Sequence, residues 1–274
     1  MPDIVIHLFA AALYAALAAH FWHTRWRARR GVAGDPDAPR AWERAAVLVP
    51  LAIHGTLLYG DLLGGPALRF GFALALSTML WLAVAICWLE AFAARVEMLY
   101  PMALGAAAVC APLPAFFPGR VTADAVSMEF RLHLVAGMLA YSLFAVATLH
   151  AILISVVERR LHSHPAAPTS GAPPLLALEA LVFRLTGAAF AVLTVTFAVG
   201  IAYSESFAGR AMRFDHKTVF VLLSWLTFGA LLAGRWRYGW RGRTAFRWTI
   251  AGFLMLMLAY PGSRFVLEVI LGRT

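Results

Sequence analysis

Apolar residues in this chain come in long, nearly unbroken runs, not in the alternation of half-buried strands or the single stripe of a surface helix. A bilayer core about 30 Å thick needs roughly 20 apolar residues as helix. Eight stretches reach that scale: 4–22, 46–64, 70–89, 97–117, 132–156, 180–203, 217–234 and 246–268. A spanning helix satisfies its own backbone hydrogen bonds, which lipid cannot do. The pattern predicts an all-α polytopic membrane protein with eight transmembrane helices, residues 1–274 forming a single integral membrane domain. The fourth stretch is the weakest, because Pro101, Pro112 and Pro114 lie within it and Pro118 just beyond. Proline breaks or kinks helices, so the far end of that stretch is expected to be irregular. The first stretch opens on Asp3 and its arginines follow it, which is not the order of a cleavable signal peptide.

Composition narrows the class further. The 274 residues are 62% hydrophobic and 14% charged, with a mean hydropathy of +0.76. Soluble domains run at about 45–50% apolar and about 25% charged. So few charges cannot cover a water-facing surface, which excludes a cytosolic enzyme, a disordered chain and a secreted disulfide module. Cys87 and Cys110 both lie inside apolar runs and read as small core residues.

Charge then sets the expected orientation. The net charge is +9, and Lys217 is the sole lysine among 23 cationic residues. The loops after stretches one, three, five and seven carry 14 of these cations, and the opposite loops carry 7. Basic loops stay cytoplasmic. Both termini are therefore expected in the periplasm of a bacterial inner (plasma) membrane. Residues 23–44 read as a basic cytoplasmic loop against anionic lipid headgroups. Residues 162–175 read as a Pro/Ala/Ser linker, with His162 and His164 solvated. The run 235–248, RWRYGWRGRTAFRW, interleaves arginine with aromatics. At a membrane surface this is a positive-inside loop with interfacial aromatics, so no nucleic acid partner is expected; the partner it predicts is membrane lipid.

Candidate chemistry is sparse. There is no phosphate-binding glycine loop, zinc-protease helix or serine nucleophile elbow. Glu97, Glu179 and Glu268 fall near predicted helix ends, where water or headgroups are expected to solvate them. A pump or secondary transporter needs carboxylates at mid-membrane depth, so neither class is favoured, nor is turnover of a small substrate. The nine histidines are more informative. His133 opens the fifth stretch and His216 the seventh, both on the outer side, so their rings sit at one level. They read either as axial ligands of a heme iron or as interfacial histidines bonded to neighbouring helices. His54 and His150 lie deeper and read as buried polar contacts between helices. The segment 203–217, YSESFAGRAMRFDHK, gathers Arg210, Arg213, Asp215, His216 and Lys217. Its cations suit an anionic group such as a heme propionate, Phe207 and Phe214 could stack on a flat ring, and Asp215 suits the N-cap of the next helix.

Three stretches carry a family resemblance: LHLVAGMLAYSLFAVATLHAIL (132–153), FDHKTVFVLLSWLTFGALL (214–232) and YGWRGRTAFRWTIAGFLMLMLAYPGSRFVLEVIL (238–271). In order and spacing they resemble the cytochrome c assembly superfamily of CcsA- and CcmC-like proteins, most of all its short YpjD/HemX-like inner-membrane branch. The resemblance implies heme bound at the periplasmic face and support of cytochrome or heme-protein complex assembly with a membrane or periplasmic protein partner. His133 corresponds to the family's outer-face histidine, and Asp215, Lys217 and Thr218 to its Asp, Lys and Thr. The chain also departs from the pattern. Met212 and Phe214 stand in the region of the family's tryptophans, His216 takes a proline position, and Gly234 stands where a histidine is expected. The expected site is thus His133 and His216 on iron, with Arg210, Arg213, Asp215 and Lys217 around the heme. The alternative is a cofactor-free accessory subunit of a transporter or regulatory complex.

Overall fold

The computed structural model describes residues 2–27, 41–64, 68–94, 97–122, 128–163, 175–208 and 216–272. The expected all-α architecture is present. Among the described residues, seven helices are long and apolar enough to cross a membrane. In chain order the elements are α1 (Pro2–Phe21) with a π turn Trp22–Arg27, α2 (Ala41–Leu62), β1 (Leu68–Phe70) and α3 (Phe72–Glu90). A 3₁₀ turn (Glu97–Leu99), α4 (Tyr100–Cys110), α5 (Leu113–Phe116) and β2 (Arg120–Thr122) follow. The chain then forms α6 (Met128–Ser163), α7 (Leu175–Ala208), α8 (His216–Tyr238) and α9 (Gly242–Met257). From α9 it continues helically through π turns at Leu258–Gly262 and Val266–Ile270.

The fourth apolar stretch differs from a plain span. It is split at Ala111–Pro112, with Pro112 capping the short α5, as its prolines predict. The fold nevertheless carries this segment across the bundle. β1 pairs antiparallel with β2, Leu68 opposite Thr122 and Phe70 opposite Arg120. The start of α3 and the end of α5 therefore share one face, so α4 and α5 must return what α3 crosses. Two pins on α1 agree. The His7 ring is bonded to the Ala111 carbonyl at 2.8 Å, and Trp26 Nε1 donates to the Met98 carbonyl at 2.9 Å. His7 and Trp26 lie about 28 Å apart along a helix rising 1.5 Å per residue. We refer to the face bearing the β1–β2 pair as the ribbon face and to its opposite as the arginine face. Phe70 of β1 meets Tyr260 at 5.4 Å between ring centroids, which brings the end of the α9 continuation to the ribbon face, where α1 begins.

One apolar core runs from Tyr14 of α1 to Leu256 of α9. Helix α6 lies at its centre, with Phe144, Val146, Ala147, His150 and Ala151 fully buried. Val5, Phe9, Val109, Leu176 and Val195 are large, apolar and exposed, which suits lipid and not water. Several polar side chains inside join one helix to another. Ser142 Oγ donates to the Met79 carbonyl at 2.9 Å, and Trp81 Nε1 to the Leu51 carbonyl at 2.8 Å. Trp225 Nε1 donates to Thr194 Oγ1 at 2.9 Å. The reading of His54 as a contact between helices holds: its Nε2 and Ser77 Oγ of α3 are 2.8 Å apart. His150 Nδ1 instead donates within α6, to the Val146 carbonyl at 2.9 Å, and its Nε2 lies 3.6 Å from Glu90 Oε2 of α3. Cys87 is buried, Cys110 partly so, and both are free thiols.

Two loop expectations need correction. Residues 23–44 are not all a lipid-facing loop. Residues 22–27 prolong α1 as a π turn and 41–44 begin α2. Arg25 is buried because Glu43 Oε2 accepts its guanidinium at 2.7 Å. Glu179 is not solvated either: it is 8% exposed and accepts from Arg235 Nη1 of α8 at 3.0 Å. A long-range partner replaces water in both cases. The side chain of Glu97 and the residues from His164 to Pro174 lie outside the described residues.

Helices α8 and α9 meet at Gly252. A Cβ there would lie 2.8 Å from Phe228 Cζ. The Phe228 ring cannot retreat, because Phe144 stacks behind it at 3.7 Å and 13°. Small residues let membrane helices approach this closely. Gly252→Ala gains about 1 kcal/mol of helix propensity but incurs an overpacking cost of about 1–3 kcal/mol. With the ring clamped, overpacking should win. The thermal unfolding midpoint in detergent should fall, and Phe228→Leu in the same chain should restore part of it. An unchanged or raised midpoint for Gly252→Ala would refute the clamp.

Candidate functional site

A partly open cavity of about 370 Å³ lies in the ribbon-face half of the bundle. Helix α6 gives it His133, Leu134, Gly137, Met138 and Tyr141. Helix α7 gives Leu193, Thr196, Phe197, Gly200 and Ile201, and α8 gives Lys217, Thr218 and Val221. Phe70 of β1 and Ala259 and Tyr260 of the π turn Leu258–Gly262 close the remaining side. The spacing explains why these residues share a wall. His133, Gly137 and Tyr141 are four apart on α6, as are Leu193, Phe197 and Ile201 on α7, so each set stacks on one helix face.

His133 is half-buried in this wall. Its ring lies against Gly200, where a Cβ would sit 3.1 Å from His133 Cε1. No described residue hydrogen-bonds the His133 ring. It therefore differs from His54 and His150, each of which has one ring nitrogen engaged, Nε2 of His54 with Ser77 and Nδ1 of His150 with Val146. An imidazole with uncommitted nitrogens beside a cavity can ligate a metal or bond a ligand.

Tyr260 organises the opposite rim. Pro261 lies within the π turn Leu258–Gly262; it has no N–H to give, and such wide turns recur at functional sites. Lys217 Nζ sits 5.6 Å from the Tyr260 ring centroid, and Arg264 Cζ lies 5.8 Å from it. A cation held over an aromatic face stays oriented while keeping its charge. The site thus combines one open imidazole, one ammonium and aromatic walls from Phe70, Tyr141, Phe197 and Tyr260.

Of the residues expected from sequence, the structure brings His133 and Lys217 to this cavity. His216 is the first residue of α8, exposed, and does not line the cavity. Arg210, Arg213, Phe214 and Asp215 lie outside the described residues, as does the side chain of Phe207. Sequence reasoning missed Phe70, Gly200 and Tyr260. Tyr260 falls within the stretch 238–271 that carries the family resemblance, but nothing local shows that its ring faces Lys217. Among the described residues no group of three or more His, Cys, Asp and Glu side chains could hold a bare metal ion. A porphyrin iron asks for only one or two protein ligands.

The family profile described as Cytochrome C assembly protein matches residues 56–271. The chain is 34% identical over 212 residues to an uncharacterised 28.8 kDa protein in a nifR3-like 5′ region of Azospirillum brasilense, covering 72% of this chain and 76% of that one. It is 28% identical over 174 residues to the inner membrane protein YpjD of Escherichia coli K12, covering 63% and 65% of the two chains. A shorter match, 31% identical over 85 residues, joins it to the cytochrome c biogenesis protein CcsA of Picosynechococcus, covering 31% of this chain and 25% of that one. No solved structure matches. The matched segment runs from the middle of α2 to the end of the last π turn and so contains the whole cavity. With its membrane-length helices, the chain is a multi-pass protein of the bacterial inner membrane. It belongs to the cytochrome c assembly protein family, in the YpjD-like branch.

Proposed function

We propose that this protein binds heme in the ribbon-face cavity, with that face in the periplasm, and supports assembly of a cytochrome or other heme protein. The observation that carries the reading is the His133 imidazole, uncommitted and in the wall of an aromatic-lined cavity. The residues present fit the group. His133 offers a neutral nitrogen to iron, and Lys217 offers an ammonium to a propionate. Phe70, Tyr141, Phe197 and Tyr260 offer flat apolar surface to the macrocycle. The volume falls within the roughly 300–1,000 Å³ of small-molecule sites. The CcsA relative is by name a cytochrome c biogenesis protein. The excess of arginine in the loops of the opposite face supports a periplasmic ribbon face.

In this reading His133 holds the group and Gly200 leaves room for its ring. Tyr260 positions Lys217 at the rim. His216, beside Lys217 in sequence, is an outer and dispensable imidazole. Heme held there supplies a pre-bound porphyrin to a partner protein. A second reading, a cofactor-free accessory subunit of a transporter or regulatory complex, is favoured by Met212 and Phe214 in the region of the family's tryptophans. One absorption spectrum separates the two. Purified, detergent-solubilised protein from heme-replete cells should show a Soret band, whereas a colourless protein that co-purifies with a stable partner supports the second reading.

Gly200→Ala refines the test. The added methyl crowds His133 Cε1 at 3.1 Å, while helix α7 gains about 1 kcal/mol of propensity. Designed sites need positioning within about 0.5 Å. Heme retention should fall several-fold with no loss of thermal stability. Equal retention in the variant would remove Gly200 from the site.

A further inference from the structure

A second cleft opens at the arginine face, far from the heme reading and independent of it. It lies between the last turns of α6 and the first turns of α9 and encloses about 720 Å³. Ile152, Val156 and Arg159 follow one another down one face of α6, and Arg243, Arg247 and Ile250 do the same on α9. The two helices run in opposite senses here. Helix α6 is approaching the arginine face and α9 is leaving it, so Ile152 and Ile250 are both deep while Arg159 and Arg243 are both at the rim. Each wall thus grades from apolar at depth to guanidinium at the surface, and the gradients coincide. Phe246 of α9, 3% exposed, also lines the cleft. Three guanidiniums face one carboxylate, Glu158, so the rim carries a net positive charge.

This gradient matches one class of molecule. A soluble anion would use the rim and leave the apolar depth wet, and a plain hydrocarbon would make no use of the exposed Arg243 and Arg247. An amphiphile with a phosphate above an acyl chain satisfies both parts. Arginine forks suit phosphate oxygens, and basic pockets between membrane helices bind anionic headgroups. We propose that this cleft is a binding site for an anionic phospholipid. Its phosphate is held by Arg159, Arg243 and Arg247, and one acyl chain lies along Ile152, Val156 and Ile250.

The test uses the delipidated full-length protein and native mass spectrometry, with phosphatidylglycerol, phosphatidylcholine of the same acyl chains, and glycerol 3-phosphate as separate arms. Phosphatidylglycerol should be retained about tenfold more than phosphatidylcholine, and glycerol 3-phosphate should not displace it. Arg243→Gln with Arg247→Gln should abolish the preference. Both residues are exposed, so the fold should survive, checked by an unchanged melting midpoint. Arg237→Gln removes an exposed cation from the same face outside the cleft and should keep the preference. Equal retention of the two lipids overturns the proposal, as does a preference that survives the double variant or that Arg237→Gln abolishes equally. Displacement by glycerol 3-phosphate would make the ligand a soluble phosphate and overturn the lipid assignment.

Discussion

His133→Ala is expected to abolish the Soret band of the purified protein while leaving it folded. The separation of these outcomes follows from the geometry. No described residue hydrogen-bonds the ring, and it is only half-buried, so truncation leaves no polar partner stranded and opens onto an existing cavity. Loss of the band at an unchanged melting midpoint then reports ligation. Added imidazole should restore part of the absorbance, because the truncated site keeps its space and its aromatic walls. His150→Ala should behave in the opposite way. That ring is fully buried and bonded to the Val146 carbonyl, so stability should fall and any band should persist. His216→Ala should change neither. Lowering the pH protonates the nitrogen that a metal requires, so retention of heme by the native protein should weaken as His133 titrates. A band that survives His133→Ala would move the ligand elsewhere and remove the main support for this cavity.

Legibility from sequence divides by physical range. The long helices were readable because hydrocarbon demands apolar side chains all round, and that demand is local. The stretches expected at 70–89 and 217–234 are the helices Phe72–Glu90 and His216–Tyr238. Several helices overrun their apolar stretches, as α6 does by reaching Ser163, because backbone hydrogen bonds continue past the hydrocarbon into arginine-rich turns. The split of the fourth stretch was readable from its prolines. The β1–β2 pair was not. Two strands of three residues each are too short to show alternation, and their pairing joins segments about 50 residues apart. Half of the cavity was readable in the same sense: His133 and Lys217 mark themselves by chemistry, whereas Gly200 and Tyr260 matter only through what faces them.

The same limit hid the ion cluster at the arginine-face end of α1. Arg25 sits in a basic run and Glu43 lies 18 residues later, so both read as solvated loop charges. In the fold Glu43 is 3% exposed and Arg25 is 9% exposed. One carboxylate oxygen takes the Arg25 guanidinium at 2.7 Å and the other lies 3.0 Å from His20 Nε2. The cluster fixes the π turn that redirects the chain out of α1. Removing one member of a buried pair is far costlier than the pair is worth, because the surviving charge stays desolvated. Glu43→Ala should therefore destabilise the protein by about 3–5 kcal/mol, among the largest losses for a single substitution, seen as a fall in the melting midpoint and in the yield of monodisperse protein. Glu43→Gln should be milder. Its amide oxygen can face Arg25, and its amide NH₂ can donate to His20 in the ring's other tautomer. Adding Arg25→Met to Glu43→Ala removes the stranded cation at similar volume and should recover much of the loss. If that double variant is as unstable as Glu43→Ala alone, desolvated charge is not the cause. The turn would then be held by packing, chiefly the stack of Trp22 on Trp26 at 5.1 Å and 12°.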